Sequence, residues 1–413
     1  MFRKTFWTRI TYEFKANSIL ALCITLGICL CSGCDNSALL TFETLGAQTL
    51  RPLAIVSFDT DLEPGDYIAQ DHTGKDISLQ VDQYSRATLL IERVLPNATI
   101  RWKVNYHATE QATVTAHDSG DQILFTDKDR KLAAFKVSKL EMPDEDIPQI
   151  YYRDGYVHPV WTPGGQIITD DYPPDHRHHH GIWAAWTKTI FQGRNPDFWN
   201  MGGGSGKVEL SSLDAIWSGF IHAGIKANHQ YIDMTQDEVV ALNELWSMKV
   251  YGSLSDKNII DVELIQSTAT DSALVLSQHR YGGVGFRGHR NWAGENGAEF
   301  FTSEGKTRLN GHGTRARWVH IGGEIDGQES GATILSHPDN HEAPQPVRIH
   351  PTEPFFNFAP TQAGPFAITS DKPITWKYRF VTYDGAYDPN LLEALWEDYS
   401  NPLTIKNIKH HQQ

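Results

Sequence analysis

Cysteine is missing from the body of this 413-residue sequence: Cys23, Cys29, Cys31 and Cys34 all fall near the amino terminus, and none follows. Disulfides, thiol nucleophiles and Cys-ligated zinc are thereby excluded downstream. Long apolar runs are missing too. Beyond Cys34 no stretch approaches the roughly 18 apolar residues that a membrane-spanning helix needs. Basic charge is scarce: 36 Lys and Arg stand against 50 Asp and Glu, a net charge of −14. Setting aside residues 1–33, which hold four basic residues and one acidic, leaves 32 against 49 and a net −17. Such a surface argues against nucleic acid and anionic lipid as partners and suits neutral or cationic small molecules.

The cysteines that are present mark an export signal. Arg3, Lys4, Arg9 and Lys15 form a basic start, an uncharged and mostly apolar run follows from Ser18 to Cys31, and Ser32 and Gly33 precede Cys34. Basic, apolar and small segments in that order are the layout of a secretory signal. Leu30-Cys31-Ser32-Gly33-Cys34 resembles a bacterial lipobox, with Cys31 where Leu is usual, which implies acylation of Cys34. The expectation is a signal at 1–33, a tether at 34–50, and a protein exported to the periplasm or cell surface. A lipid on Cys34 would be its only membrane anchor.

Strand patterns fill the rest. Leu53–Phe58, Ile77–Val81, Thr88–Arg93 and Thr99–Val104 are short β-rich runs separated by turn residues, and define a small β unit at 51–110. Gln122–Thr126, Leu132–Val137, Asn243–Tyr251, Asn258–Ile265, Arg317–Ile321, Ala332–Leu335 and Ile374–Tyr383 continue the pattern through a main domain at 111–400. Period-two alternation gives each strand one core face, as in antiparallel sheets. Only Asn390–Tyr399 carries a helical stripe. The fold class is therefore all-β, an antiparallel β-sandwich, with a polar tail at 401–413.

The densest chemistry runs from Tyr151 to Trp199, centred on Asp170-Asp-Tyr-Pro-Pro-Asp-His-Arg-His-His-His-Gly181. If the residues after the prolines are extended, His176, His178 and His180 share one face. Three readings fit. His176, His178 or His179 can act as general acid and base with Asp175 or Glu244 as partner carboxylate, because imidazole exchanges protons near neutral pH. Alternating neutral imidazoles can instead chelate a metal, though no well-defined ligand spacing is present. In the third reading the segment is a polar loop with hydrogen-bonding roles only. No cofactor is called for by any motif, and a metal stays open. Arg153, His158, Trp183, Trp186, His279 and Arg287 are the candidate substrate contacts: fixed guanidinium forks hold hydroxyls or carboxylates, and flat indoles stack on sugar rings or fill a core.

The run His158-Pro-Val-Trp-Thr-Pro-Gly-Gly165, followed by Asp171-Tyr-Pro-Pro-Asp-His-Arg-His-His-His-Gly-Ile-Trp183, resembles a bacterial family catalogued as PmoA-like, or "methane oxygenase PmoA". Asp175, His176, His178, His179, Gly181 and Trp183 fit its pattern; Arg177 and His180 depart from it. Tyr281–Arg287, His337–Asn340, Pro354-Phe-Phe356 and Tyr378–Gly385 follow as further landmarks. A methane monooxygenase subunit is an integral membrane protein, so the missing apolar spans set oxygenase chemistry aside. The resemblance implies a secreted protein of carbohydrate-degrading bacteria with a supersandwich similar to the galactose-mutarotase superfamily, where His and Glu or Asp do acid–base work on pyranoses. The expectation is an exported lipoprotein that binds a carbohydrate or glycoside and processes it as a lyase, hydrolase or epimerase. The alternatives are a non-catalytic sugar-binding lipoprotein and a His-ligated metal enzyme.

Overall fold

Four antiparallel sheets make up the protein in a computed structural model that describes residues 38–106, 112–138, 142–252 and 254–411. The segment 1–33 and Cys34 lie outside the described residues. Among the described residues no helix is long and apolar enough to cross a membrane.

Two eight-stranded sheets face each other. The first, here the site sheet, runs in the order Val347–Ile349, Phe355–Phe358, Gly283–Arg287, Ile182–Ala185, Tyr156–Val160, Arg130–Lys136, Gln122–Asp127 and Val114–Asp118. The second, the back sheet, runs Gly206–Trp217, His222–Asp233, Val239–Tyr251, Asn258–Thr268, Ile374–Asp384, Gln328–Ser336, Trp318–Ile325 and Glu299–Thr302. Their inner faces share one apolar core. Across it Phe286 stacks on Phe380 at 6.3 Å between ring centroids, Phe358 on Tyr378 at 5.6 Å, and Phe135 approaches Trp246 at 6.2 Å. Period-two burial produces this sandwich, as the alternating patterns predict. A small sheet of Thr189–Phe191, Leu274–Leu276 and Phe366–Ile368 flanks it.

A seven-stranded sheet has its own core around Phe42, Phe58, Leu79, Leu89 and Trp102. Its order is Arg51–Asp59, Arg86–Val94, Asp76–Val81, Gly65–Asp71, Thr99–Tyr106, Leu40–Leu45 and Thr404–His410. Two expected boundaries are corrected here. The segment read as a tether at 34–50 contains the strand Leu40–Leu45, which alternates inward Leu40, Phe42 and Thr44 and pairs along Thr99–Tyr106. The segment read as a polar tail contains Thr404–His410, an edge strand held by backbone pairing to Leu40–Leu45 and therefore free of any need for apolar alternation.

The helix Pro389–Ser400 joins this sheet to the sandwich. Asp388 caps it by accepting from the Asn390 N–H at 2.9 Å, with Pro389 in its first turn. Leu392 and Leu395 pack with Leu53 and Ile55 on one side and Trp318 and Leu335 on the other. Glu397 accepts from Arg51 at 2.7 Å, and Asp398 from the Ile55 N–H at 3.0 Å.

Candidate functional site

The histidine segment forms successive turns, not a strand. Pro173 and Pro174 fix their φ angles ahead of Asp175. The His176 N–H then donates to Pro173 O at 3.0 Å, and the His179 N–H to His176 O at 2.8 Å. The expectation of a shared face for His176, His178 and His180 is thus corrected. His176, His178 and His179 turn together into one cavity, while His180 is buried between the rings of Tyr156 and Tyr172, at 4.4 and 4.6 Å, with Nδ1 2.8 Å from Asp171 Oδ1.

The cavity lies on the outer face of the site sheet and measures about 160 Å³. Phe356 and Phe358 point inward along their strand, so Phe355 points out and contributes to the cavity wall. Trp183 also points out and forms a buried floor, 5.1 Å from His179, 5.1 Å from Trp199 and 5.8 Å from Phe355. Gly285 on the neighbouring strand makes room for it: a Cβ there would come within 3.0 Å of the indole ring. The histidine wall is His176, His178, His179 and His350. Trp199 and Tyr281 face it, and Asn200, Arg280 and Arg348 supply donors. Small-molecule sites typically offer roughly 300–1000 Å³. This one is smaller and suits a single ring or chain end.

Electrostatics divide the cavity into neutral imidazoles and one charged dyad. Burial first, and then the neighbouring His176 ring, lower His178 to about 4. Burial and then Arg348 lower His350 to about 4. His179, fully enclosed and stacked on Phe355 at 4.6 Å, is lowered further by burial. Asp175 behaves oppositely. Burial raises it, yet hydrogen bonds with Glu353 and His176 and the charge of Arg287 together hold it below the usual carboxylate range. An ionised carboxylate only accepts, so His176 donates Nδ1–H to Asp175 Oδ2 across 2.7 Å. The Nε2 lone pair of His176 is left for the cavity. Glu353 is raised by burial and by its bond to and repulsion from Asp175.

Asp175, His176 and Glu353 offer three potential metal ligands within 4.8 Å of one another. Arg287 occupies the same carboxylates, donating Nη2 to Glu353 at 3.0 Å and to Asp175 at 3.4 Å, and is itself buried. Any cation would share this charge with a guanidinium already there.

A family model described as "Family of unknown function (DUF6807)" matches residues 99–397. The chain belongs to the DUF6807 family. No curated protein matches it. The DUF6807 match contains every residue of the cavity and most of the sandwich, while Leu40–Leu45 and Thr404–His410 fall outside it.

Several expected site residues lie elsewhere in this DUF6807 chain. Glu244 sits between the sheets, on the far side of the site sheet from the cavity, and is 1% exposed. It accepts from Tyr231 Oη at 3.0 Å, Trp246 Nε1 at 2.6 Å and Gln266 Nε2, and burial pushes it up to about 7. Arg153 belongs to the same interior network, donating Nη2 to Ala184 O at 2.8 Å. Trp186 donates Nε1 to Gln266 Oε1 at 3.0 Å. The roles expected for Glu244 as partner carboxylate, and for Arg153 and Trp186 as substrate contacts, are therefore corrected: all three are core groups. Alternation left Glu244 on either a wet or an inward face, and the structure turns it inward.

Trp183 supports the cavity from beneath. His158 meets Thr169 Oγ1 at 2.9 Å away from it. His279 packs on Tyr281 at 4.5 Å, at the cavity's margin. The sequence reading missed Asn200, Arg280, Arg348, His350 and Glu353. Arg348 and His350, two apart at the end of a strand, were a legible same-side pair.

Proposed function

We propose that this cavity is the active site of an enzyme that binds a carbohydrate or glycoside and processes it by proton transfer. The observation that carries this reading is the Asp175–His176 dyad at the cavity wall, with an ionised carboxylate fixing the imidazole tautomer. Such a pair presents Nε2 as a general base, and after accepting a proton the same atom becomes the acid. His178 and His350, neutral above about pH 5, stand on the same wall as further proton acceptors or as hydrogen-bond partners for hydroxyls. Trp199 and Tyr281 give a polyhydroxylated ring an apolar face to lie on, and Asn200 adds an amide that pairs with hydroxyls. Export and lipidation at Cys34, read from the amino-terminal segment, would hold this site where extracytoplasmic sugars arrive.

The test is kinetic. His176→Asn is smaller than the ring but keeps a donor near the Nδ1 position for Asp175, and it cannot shuttle a proton. Turnover of a saccharide should fall by roughly 10²–10⁴, the usual share of one acid–base group, with binding changed little. A protein that binds sugars but turns none over, in either form, would be a carbohydrate-binding lipoprotein instead.

A second reading rests on the three ligand atoms of Asp175, His176 and Glu353. There the same cluster would hold a divalent ion. Protein purified without chelator would then contain near-stoichiometric metal and lose it in Glu353→Gln. The acid–base reading predicts substoichiometric metal and no dependence on it.

A further inference from the structure

Among the described residues, two arginines on the cavity wall have no anionic partner. Three other buried arginines do: Arg51 meets Glu397 at 2.7 Å, Arg287 meets Glu353 at 3.0 Å, and Arg379 meets Asp261 at 2.6 Å, whereas Arg153, in the interior, donates to the Ala184 carbonyl. Arg348, 8% exposed, donates Nη1 only to the backbone carbonyl of Ile349 at 3.1 Å, and its Nε is unpartnered. Arg280, on the same cavity, has its guanidinium 5.7 Å from the Tyr281 ring and makes no ion pair among the described residues. The nearby carboxylates are committed. Asp197 accepts from Thr187 Oγ1 at 2.9 Å and from Asn200 Nδ2 at 2.8 Å, while Asp175 and Glu353 answer to His176 and Arg287.

The two guanidiniums also feel each other. Burial first, and then the charge of Arg280, lower Arg348 from its ordinary value. A fold that encloses one like charge beside another without a counter-ion retains repulsion that an anion would relieve. The overall acidity of the chain does not oppose this, because exposed charges beyond about 10 Å are screened in salt, while the buried Arg348 is screened much less.

We propose that the ligand of this site carries an anionic group, a carboxylate or a sulfate ester on a sugar, seated between Arg280 and Arg348. The proposal rests on the reading of the cavity as a saccharide site and narrows its substrate class to acidic saccharides. It also reverses, for this one cavity, the expectation of neutral or cationic ligands drawn from net charge. Guanidinium forks match planar carboxylates and tetrahedral sulfates through paired N–H donors. The small volume suits one acidic ring or the acidic end of a chain, not an internal segment of polymer.

Titration calorimetry on the full chain tests this with three monosaccharide arms: D-galacturonate and D-glucuronate, glucose 6-sulfate, and neutral galactose and glucose. At least one acidic arm should bind about tenfold or more tightly than the neutral arm, the usual worth of a charge-assisted bond. Whether the uronates or the sulfate prevail identifies the group. Arg280→Gln, at an exposed position that should leave folding intact, should erase the preference. Arg348→Lys, which keeps the charge but loses the fork, should weaken it. Equal affinity for acidic and neutral sugars, or a preference untouched by both variants, overturns the anion site and leaves the saccharide reading standing. No binding by any sugar overturns both.

Discussion

Two carboxylates in this protein show how position decides what an acid can do. Asp175, half-exposed beside His176 and Arg287, is held ionised and orients an imidazole. Glu244, enclosed between sheets with three donors, is pushed up to about 7 by burial. Its consequence is stability, not turnover. With a folded value raised above the ordinary 4.5, its contribution is full below about pH 4.5 and is lost as pH rises through 7. Glu244→Gln removes that titration and puts an amide N–H where a donor now points, which should cost roughly 1–3 kcal/mol. Urea unfolding at several pH values checks this. The stability gap between wild type and variant should shrink from pH 5 to pH 8, and substrate affinity should hold in the folded variant. Buried His222 and His320 are lowered and act with the opposite sign, but they are common to both proteins and cancel in the difference.

At the scale of elements, the strands were far more legible than the site. Asn243–Tyr251, Asn258–Ile265 and Ile374–Tyr383 alternate cleanly because each has one face in the sandwich core, and all three are strands. The helix announced itself through Leu391, Leu392, Leu395 and Trp396, whose spacing matches a helical face. Leu40–Leu45 and Thr404–His410 were missed because their partners lie far along the chain: Leu40 pairs with His410, a relation no local pattern carries. The histidine segment failed for a related reason. Periodicity assumes a regular backbone, and turns after Pro173 and Pro174 replace it.

Two element-level outcomes follow. Removing residues 404–413 strips the outer edge from Leu40–Leu45 and should lower the melting temperature by several degrees in calorimetry, since about 1 kcal/mol is worth roughly 2–4 °C in a domain of 150–250 residues. Gly285→Ala places a methyl within 3.0 Å of the Trp183 ring and should cost about 1–3 kcal/mol by overpacking. It should also weaken ligand binding, because Trp183 is the floor on which His179 and Phe355 rest.

For the whole molecule, a large sandwich presents one small cavity of histidines, aromatic rings and two uncompensated arginines on the outer face of a sheet. The second sheet supplies none of the groups lining it, and serves to hold the first. The amino-terminal segment adds a proposal about place. Cys34→Ala should move the protein from the membrane fraction to the soluble one without altering the cavity, which fractionation followed by a ligand-binding assay would establish. The central claim is that this cavity, and not another depression of the surface, receives the sugar. A crystal structure with a bound saccharide tests it most directly. The account predicts a ring lying against Trp199 and Tyr281, with a substrate atom within about 3.2 Å of His176 Nε2. A ring bound instead in the depression lined by Lys188, Asn195 and His279, or beyond reach of His176, would contradict it.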